Sequence, residues 1–509
     1  VAALFLALDI GTTNMKAGVI EANGNLLATA IRANRKREHK MGYVYYDPQE
    51  MWVTICALIQ EVVAATTGMA AQIQAVGITS MAESGLLVDR KSGSVRTMII
   101  PWFETSAIPQ ESRIKQEIDT YEHFCQSGLH PSFKQGLSKL LWIQETQPEL
   151  LEGSVWLSVS SFAAYRLTGN FAEEETLAAR TFVYRIDQRE WNVPLLRYFG
   201  LEESHFPPAV ETGSAVGSVL PDVGRELGLR SGVSVCLAGH DHVCASLTIG
   251  QPEQGSVYNS MGTAETLVGS FGSRALGMSD YQSGLVFGRH PLPDHLFWMG
   301  GHSSSGGSIE WFRTLLDAGD MSYDEILAHL DQAAPNPTGI LYFPYLSGCG
   351  APSANAMAKA AWIGLSARHQ RPDLFKAILE GNAYQMEWLR QEAESAIGEP
   401  IRKLVVVGGG AKNSHWLQIK ADVSGIALEH PDLPEATLLG AAWTAGVGSG
   451  VYTSLYEAMS TFSPDRIKTY TPDLENHKEY RALYDHGFSQ LRPMLLDYDL
   501  RLHRSIAMK

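Results

Sequence analysis

Cysteine is scarce in this sequence: five residues in 509 (Cys56, Cys125, Cys236, Cys244 and Cys349), odd in number, scattered, and without any C-x-x-C spacing. That excludes a disulfide framework and fits a reducing compartment, so a cytoplasmic location is expected. Long apolar runs are missing as well. No uncharged stretch reaches the roughly 18 strongly apolar residues that a membrane span requires. The apolar start, residues 1–8, has no basic leader and runs into Asp9, so it reads as a strand and not a targeting segment. Basic charge is in deficit: 40 Lys+Arg stand against 55 Asp+Glu, a net charge of −15. Such a surface repels phosphate backbones and argues against nucleic acid as a partner. The one basic cluster, Arg32, Arg35, Lys36, Arg37 and Lys40, reads as a solvated strand and loop.

What is present is a large apolar fraction, 45%, in a chain long enough for two to four domains. Strands and helices alternate, which sets the class as α/β. Residues 4–8 and 15–20 read as strands around the turn Asp9-Ile10-Gly11-Thr12-Thr13-Asn14. Asp47-Pro48-Gln49-Glu50 has the form of a capping box with Pro at the first helical position, ahead of a helix over 51–65. Residues 73–79 and 85–89 read as strands, and 138–146, 155–167 and 474–494 as helices. A second strand-turn-strand unit, 255–261 and 266–270 around Gly262-Thr263-Ala264-Glu265, echoes the first. The echo predicts two related domains, 1–247 and 248–509, facing a common cleft, with the junction near 246–254.

A carboxylate at a strand end followed by Gly and hydroxyl residues presents N–H and O–H groups to a phosphate, and the same carboxylate suits a hydrated Mg²⁺. A plain polar hairpin turn is the competing account of Asp9 to Asn14. Val405-Val406-Val407-Gly408-Gly409-Gly410 is an apolar strand ending in three glycines, where a flat ligand such as a nucleobase can lie against the backbone, or simply a tight strand-to-helix turn. It lacks the G-K-[ST] of a P-loop and the G-x-G-x-x-G spacing of a dinucleotide fold. Gly300 to Gly307 is a Gly/Ser loop opening a helix over 309–316, either a nucleotide wall or a helix start. In Gly239-His240-Asp241-His242, after the strand 233–238, Asp241 is placed to accept a proton from a substrate hydroxyl; capping of a helix over 243–248, or a His-x-His metal site, are the alternatives. Glu83, Trp102 and Glu104 follow strand-like segments and suit a sugar pocket, although a buried Trp and surface Glu are the ordinary outcome.

Taken in order, LDIGTTNMKAGVI, YDPQEMW, SKLLWIQE, YRLTGN, GHDHVCASL, NSMGTAETL, GGHSSSGGSIEW, LEGNAY and VVVGGGAKNSHWLQIKADVSG followed by EATLLGAAWTAG resemble the FGGY family of carbohydrate kinases, over about residues 4–452. The likeness implies two ribonuclease H-like domains of the actin and sugar-kinase superfamily flanking a central cleft. It implies ATP and Mg²⁺, with Asp9 on the metal and Asp241 as catalytic base. Gly11, Thr12, Thr13 and Lys16 would lie near the transferred phosphate and Gly262 and Thr263 would form a second phosphate turn. Gly301, Gly306, Gly408, Gly409, Gly410 and Asn413 would surround the nucleoside. On the substrate side Ala82, Glu83, Trp102 and Glu104 would meet a small sugar or polyol, a ketopentose such as xylulose first. The pattern is xylulokinase-like but departs from it here. Ala82-Glu83 stands where xylulokinases carry Met-His and glycerol kinases Arg-Glu, and Glu104 and Ser106 replace the Asp and Arg of W-x-D-x-R. Cys349-Gly350 replaces the charged pair of S-G-E-R-x-P. The sugar is therefore left open between ketoses and polyols, and an actin- or chaperone-like ATPase without sugar transfer is the rival from another class. A homodimer is compatible with this reading.

Overall fold

The computed structural model describes residues 3–40, 42–66, 68–250, 255–317, 321–433 and 435–507. Part of the expected junction, 251–254, lies outside the described residues. The first sheet is built from β1 (Leu4–Ile10), β2 (Asn14–Glu21), β3 (Leu26–Ala33), β4 (Ile73–Ser80), β5 (Ala215–Ser218) and β6 (Ser234–His240), in the order β5-β6-β4-β1-β2-β3. β1 pairs antiparallel with β2 and parallel with β4, and β4 pairs parallel with β6. The second sheet uses β7 (Ser256–Met261), β8 (Glu265–Gly272), β9 (Val286–Arg289), β10 (His295–His302), β11 (Lys403–Val407), β12 (Ala427–Pro431) and β13 (Ile467–Tyr470). Its order is β9-β10-β8-β7-β11-β12-β13. β7 is antiparallel to β8 and parallel to β11, as β1 is to β2 and β4. The sequence echo thus corresponds to two sheets of one topology.

β1 is buried on both faces, and its alternation assigns each residue to a core. Leu4, Leu6 and Leu8 pack with Ile55 and Ile59 of α1 (Pro48–Ala65) and with Phe162 and Leu167 of α2 (Val159–Thr168). Phe5 and Ala7 meet Leu438, Ala441 and Ala445, far along the chain. α1 starts as the capping residues predict: Asp47 accepts from the N–H groups of Gln49 and Glu50, with Pro48 in the first turn. The helix expected over 155–167 is corrected. Ser154–Ser158 is a strand, and only Val159 onward is helical. A short, fully buried strand has no periodicity to separate it from a buried helix. At the change of direction Ser158 caps α2 by accepting from the Ser161 N–H. The segment expected as one helix over 474–494 contains a π turn, Tyr484–Phe488, and continues to Ala507. The basic cluster is solvent-facing as expected, with Arg32 on Glu61 and Arg37 on Glu50.

Five further helices position the site. α3 (Asp241–Ser246) begins directly where β6 ends. It lies at the seam of the two halves: Cys244 packs into the first half's core, Val243 and Ala245 into a cluster with Tyr258, Val268 and Val407 of the second sheet. α4 (Gly306–Asp317) follows the Gly/Ser loop, and α5 (Arg371–Ile397) is the long core helix of the second half. α6 (Ser414–Ser424) follows the triple glycine, and α7 (Ala436–Gly448) lies across the first sheet. A Cβ on Gly77 of β4 would overlap the Ala441 carbonyl of α7, so helix and sheet meet backbone to backbone. No described helix is long and apolar enough to cross a membrane.

Candidate active site

The two turns are held alike. In the first, Gly11 N–H donates to the Asn14 carbonyl at 3.0 Å, closing the bend. The Gly11 carbonyl is taken by Asn34 Nδ2 at 2.8 Å and the Thr12 carbonyl by the Tyr46 hydroxyl at 2.8 Å. In a planar trans peptide the N–H points opposite to the C=O, so the N–H groups of Thr12 and Thr13 face away from those anchors. In the second turn Gly262 N–H donates to the Ala264 carbonyl at 2.9 Å, while the Gly262 and Thr263 carbonyls accept from the N–H groups of Gly306 and Gly307, both at 3.0 Å. This directs the N–H groups of Thr263 and Ala264 the other way. Each turn thus directs two successive N–H groups to one side, an arrangement that suits an anion.

Asp9 ends β1 beside the first turn. Its carboxylate is buried, and Oδ1 has no hydrogen-bond partner. Burial first, and the neighbouring Asp241 second, push the carboxyl up to about 7 against the opposing pull of Lys16. Lys16 itself is bonded to Glu435 at 2.7 Å, at the start of α7, and so ties the first hairpin to the chain's second half. Asp241 is the first residue of α3. Burial alone would raise its pKa, but the charge of His242, the bond and charge of His240 and the His242 N–H together hold it below the usual carboxylate range. His240 Nε2 lies 3.2 Å and His242 N 2.7 Å from Asp241 Oδ1. The result is a half-buried carboxylate whose neighbours favour its ionised form, next to the buried carboxylate of Asp9, which ionises only reluctantly.

The strand end carrying Asp241 is fixed from below. His240 N–H donates to Thr176 Oγ1 at 2.8 Å, and Thr176 donates to Glu174 Oε2 at 2.6 Å. Gly239 passes directly over this pair with φ +78°. Neither Thr176 nor Glu174 carries a motif signal in the sequence. The alternative account of Asp241 as a cap for a helix over 243–248 is replaced: α3 begins at Asp241 itself, and its cap position is His240. Among the described residues no group of three or more His, Cys, Asp or Glu side chains is arranged to hold a metal ion, and the two histidines of His-x-His flank Asp241 instead.

On the substrate side, Trp102 Nε1 donates to Thr12 Oγ1 at 2.9 Å, placing the indole against the first turn, and the Lys134 ammonium sits 4.9 Å from its ring. Glu83 has φ 61°, a left-handed backbone that a non-glycine residue adopts only under constraint. The constraint is visible: the fully buried Lys139 donates to the Glu83 carbonyl and, at 2.6 Å, to that of Lys134, and Arg180 pairs with the Glu83 carboxylate. Ala82 is buried beside it. Glu104 is also buried, with one oxygen taken by Val44 N–H at 2.6 Å and the other by Ser106 N–H at 2.9 Å and Ser106 Oγ at 2.7 Å. Glu104 and Ser106, the two departures from W-x-D-x-R, thus satisfy each other within their own loop. The Cys349 departure has a similar repair: the buried Arg492 donates to Cys349 Sγ at 3.3 Å and lies over the Trp388 ring.

The remaining candidates line the second half. Gly301 and Gly306 have no room for a side chain against the Glu265 and Gly262 carbonyls. Gly408 turns left-handed against the Met261 carbonyl, Gly409 faces open space, and Gly410 packs on Met261 and Trp416. Asn413 caps α6 by accepting from the Trp416 N–H at 3.1 Å. Turn 262–265, loop 300–307 and loop 408–413 therefore converge at the ends of neighbouring strands β7, β8, β10 and β11.

Comparison with known proteins agrees with this geometry. The family model for the N-terminal domain of the FGGY family of carbohydrate kinases matches residues 4–248, and that for the C-terminal domain residues 257–449. The chain is 28% identical over 484 residues to the xylulose kinase of Bacillus subtilis (strain 168), covering 94% of this chain and 95% of the relative. It is 28% identical over 484 residues to the glycerol kinase of Gloeobacter violaceus, covering 92% of each. In fold it resembles the ligand-bound xylulose kinase from Lactobacillus acidophilus, with a TM-score of 0.88 at 19% identity over 97% of this chain and 98% of that one. Two sheets of one topology, two matching turns across a seam and family matches to both halves lead to one assignment: the chain belongs to the FGGY family of carbohydrate kinases and is an ATP-dependent sugar kinase.

Proposed function

We propose that this kinase phosphorylates a hydroxyl of a small ketose, a ketopentose such as xylulose first, with Asp241 as the general base. The observation that carries the reading is the placement of Asp241 at the seam, held by His240 and the His242 N–H beside Asp9 and its turn. The xylulose kinases among the relatives support the choice of sugar. Trp102 and Glu83 flank the acceptor, the indole by apolar stacking and the carboxylate by accepting hydrogen bonds from sugar hydroxyls. Arg180 and Lys139 are positioning residues that hold Glu83 in place. Glu104 is left out of the substrate contacts, because its oxygens are already spent.

In phosphoryl transfer the protein contributes chiefly alignment and charge stabilisation, so a base of low pKa is adequate: Asp241 orients the acceptor hydroxyl and takes its proton as the bond to phosphorus forms. The N–H groups of Thr12, Thr13, Thr263 and Ala264 receive phosphate oxygens. The glycines of loops 300–307 and 408–410 admit the nucleoside against bare backbone. Asp9 fits Mg²⁺: its Oδ1 is buried and unpaired, and burial makes the anion costly unless a cation compensates it. When bound there the ion would neutralise charge on the nucleotide's phosphates. Lys16 keeps the hairpin registered to α7. A cytoplasmic location belongs to the same reading.

A coupled ADP-release screen of ketopentoses, tetruloses, heptuloses and polyols tests it. The expected result is acceptor-dependent ADP release, fastest with a ketopentose. ATP hydrolysis indifferent to every acceptor would sink the proposal. Preference for glycerol would favour the second reading, a polyol kinase, which the glycerol kinase relatives and Glu83 at the matching position support.

A further inference from the structure

A buried polar cluster outside the residues assigned above lies beneath the second turn. Glu265 opens β8, and neither it nor Lys420 exposes any side-chain surface. Its Oε1 accepts from Asn259 Nδ2 at 2.9 Å and from Lys420 Nζ, and its Oε2 accepts from Ser305 Oγ at 2.9 Å. His302 lies opposite in the β8–β10 register, with Nε2 4.0 Å from Glu265 and 2.9 Å from Asn382 Oδ1 of α5. Burial would raise the Glu265 pKa, but Lys420 and His302 beside it and the bonds from Lys420 and Asn259 outweigh it and lower it, while burial in turn lowers the pKa values of Lys420 and His302.

The partners belong to three walls of the proposed nucleotide site. Glu265 closes turn 262–265, and Asn259 stands on β7 just before it. Ser305 is in the loop leading to α4, whose first N–H groups hold that turn by its carbonyls. Lys420 is on α6, the helix capped by Asn413 after the triple glycine. The pair joins residues 155 positions apart, and through it three loops share one carboxylate.

We propose that Glu265 and Lys420 are a positioning pair for the nucleotide, fixing the second phosphate turn, the Gly/Ser loop and the triple-glycine loop in one relative geometry. The inference rests on the reading that ATP lies against these three loops. A buried ion pair is a poor choice for stability alone, because an apolar pair of similar volume is often as stable or more so. Directed bonds from one carboxylate to three segments supply a fixed geometry that apolar packing does not.

The test separates stability from nucleotide affinity in the full-length protein. ATP and ADP binding without sugar is measured by calorimetry, together with thermal unfolding and both KM values. The variants are Glu265→Gln, Lys420→Met and the double variant Glu265→Leu with Lys420→Met. The single variants are expected to lose stability, since each leaves a partner buried and unpaired. The double variant is expected to recover part of the lost thermal stability, since no charge is left unpaired although buried Asn259 and Ser305 still lose their acceptor, yet bind ATP about tenfold or more weaker, with the sugar KM changed less than about threefold. A stable double variant with wild-type ATP affinity overturns the proposal and leaves only a structural role. Should the double variant fail to fold, Asn259→Ala and Ser305→Ala each remove one bond without orphaning a charge. Weakening of ATP binding by about threefold in either supports the pair, and unchanged affinity in both overturns it. Wild-type protein that binds no ATP overturns the functional reading itself and this inference with it.

Discussion

Asp241→Asn is expected to lower kcat by about 10²- to 10⁴-fold while ATP affinity stays within about threefold. The amide matches the carboxylate in shape but cannot take the hydroxyl proton, and it loses the anion that His240 and His242 are arranged around. Steady-state kinetics with calorimetric ATP binding decides the matter: a variant that still turns over at the wild-type rate removes Asp241 from the reaction. The pH profile supplies a second check. Because Asp241 is held below the usual carboxylate range, it stays ionised as pH falls, and its protonation contributes no loss of rate between about pH 5 and 8. An acid limb near neutrality that survives in Asp9→Asn and vanishes in Asp241→Asn would contradict that assignment, since Asp9, pushed up to about 7 partly by Asp241, titrates there itself.

Gly239→Ala, one position from His240, is expected to have the next largest effect. The residue is left-handed, and an added Cβ would fall well inside contact distance of Glu174 Oε2 and Thr176 Oγ1. Backbone strain and forced displacement together cost about 2–5 kcal/mol. The cost falls on the bonds that hold His240, so the base moves as well as the fold loosening. A shift of about 1 Å at a reacting group costs on the order of 100-fold in rate. Thermal unfolding and kcat should therefore fall together. An alanine variant with unaltered Tm and kcat would show that the Glu174-Thr176-His240 chain does not set the position of Asp241.

How much of this was readable in the residues depends on the range of the interactions. The two turns, the capped start of α1 and the triple glycine are local patterns, and each stands where its residue types place it. The place of Asp241 at a strand end is legible because a buried strand ending in G-x-D is also local. Glu265 is not: its meaning comes from Lys420 and Ser305, and no periodicity reports a pairing across two helices and a sheet. Lys139 reads as an ordinary charge in an amphipathic helix, yet it is wholly buried, and it clamps the backbone of Glu83 from another element. Glu104 shows the reverse case. Its type and position suggested a sugar ligand, and only the partners at Val44 and Ser106 reveal that its oxygens are occupied. The strand at 154–158 was missed because a fully buried segment presents apolar residues on every side.

The contact between Gly77 and the carbonyl of Ala441 has a consequence for how the polypeptide is made. The face of β1 that carries Phe5 and Ala7 is completed by a helix that emerges from the ribosome more than four hundred residues after the start of synthesis. Until then an apolar sheet face stands open to solvent, the condition under which nascent chains clump. A fragment ending at residue 250 should accordingly pellet on expression and become dispersible when residues 435–450 are supplied as a separate peptide. The cut that divides the gene most neatly in two is therefore not one across which the protein folds.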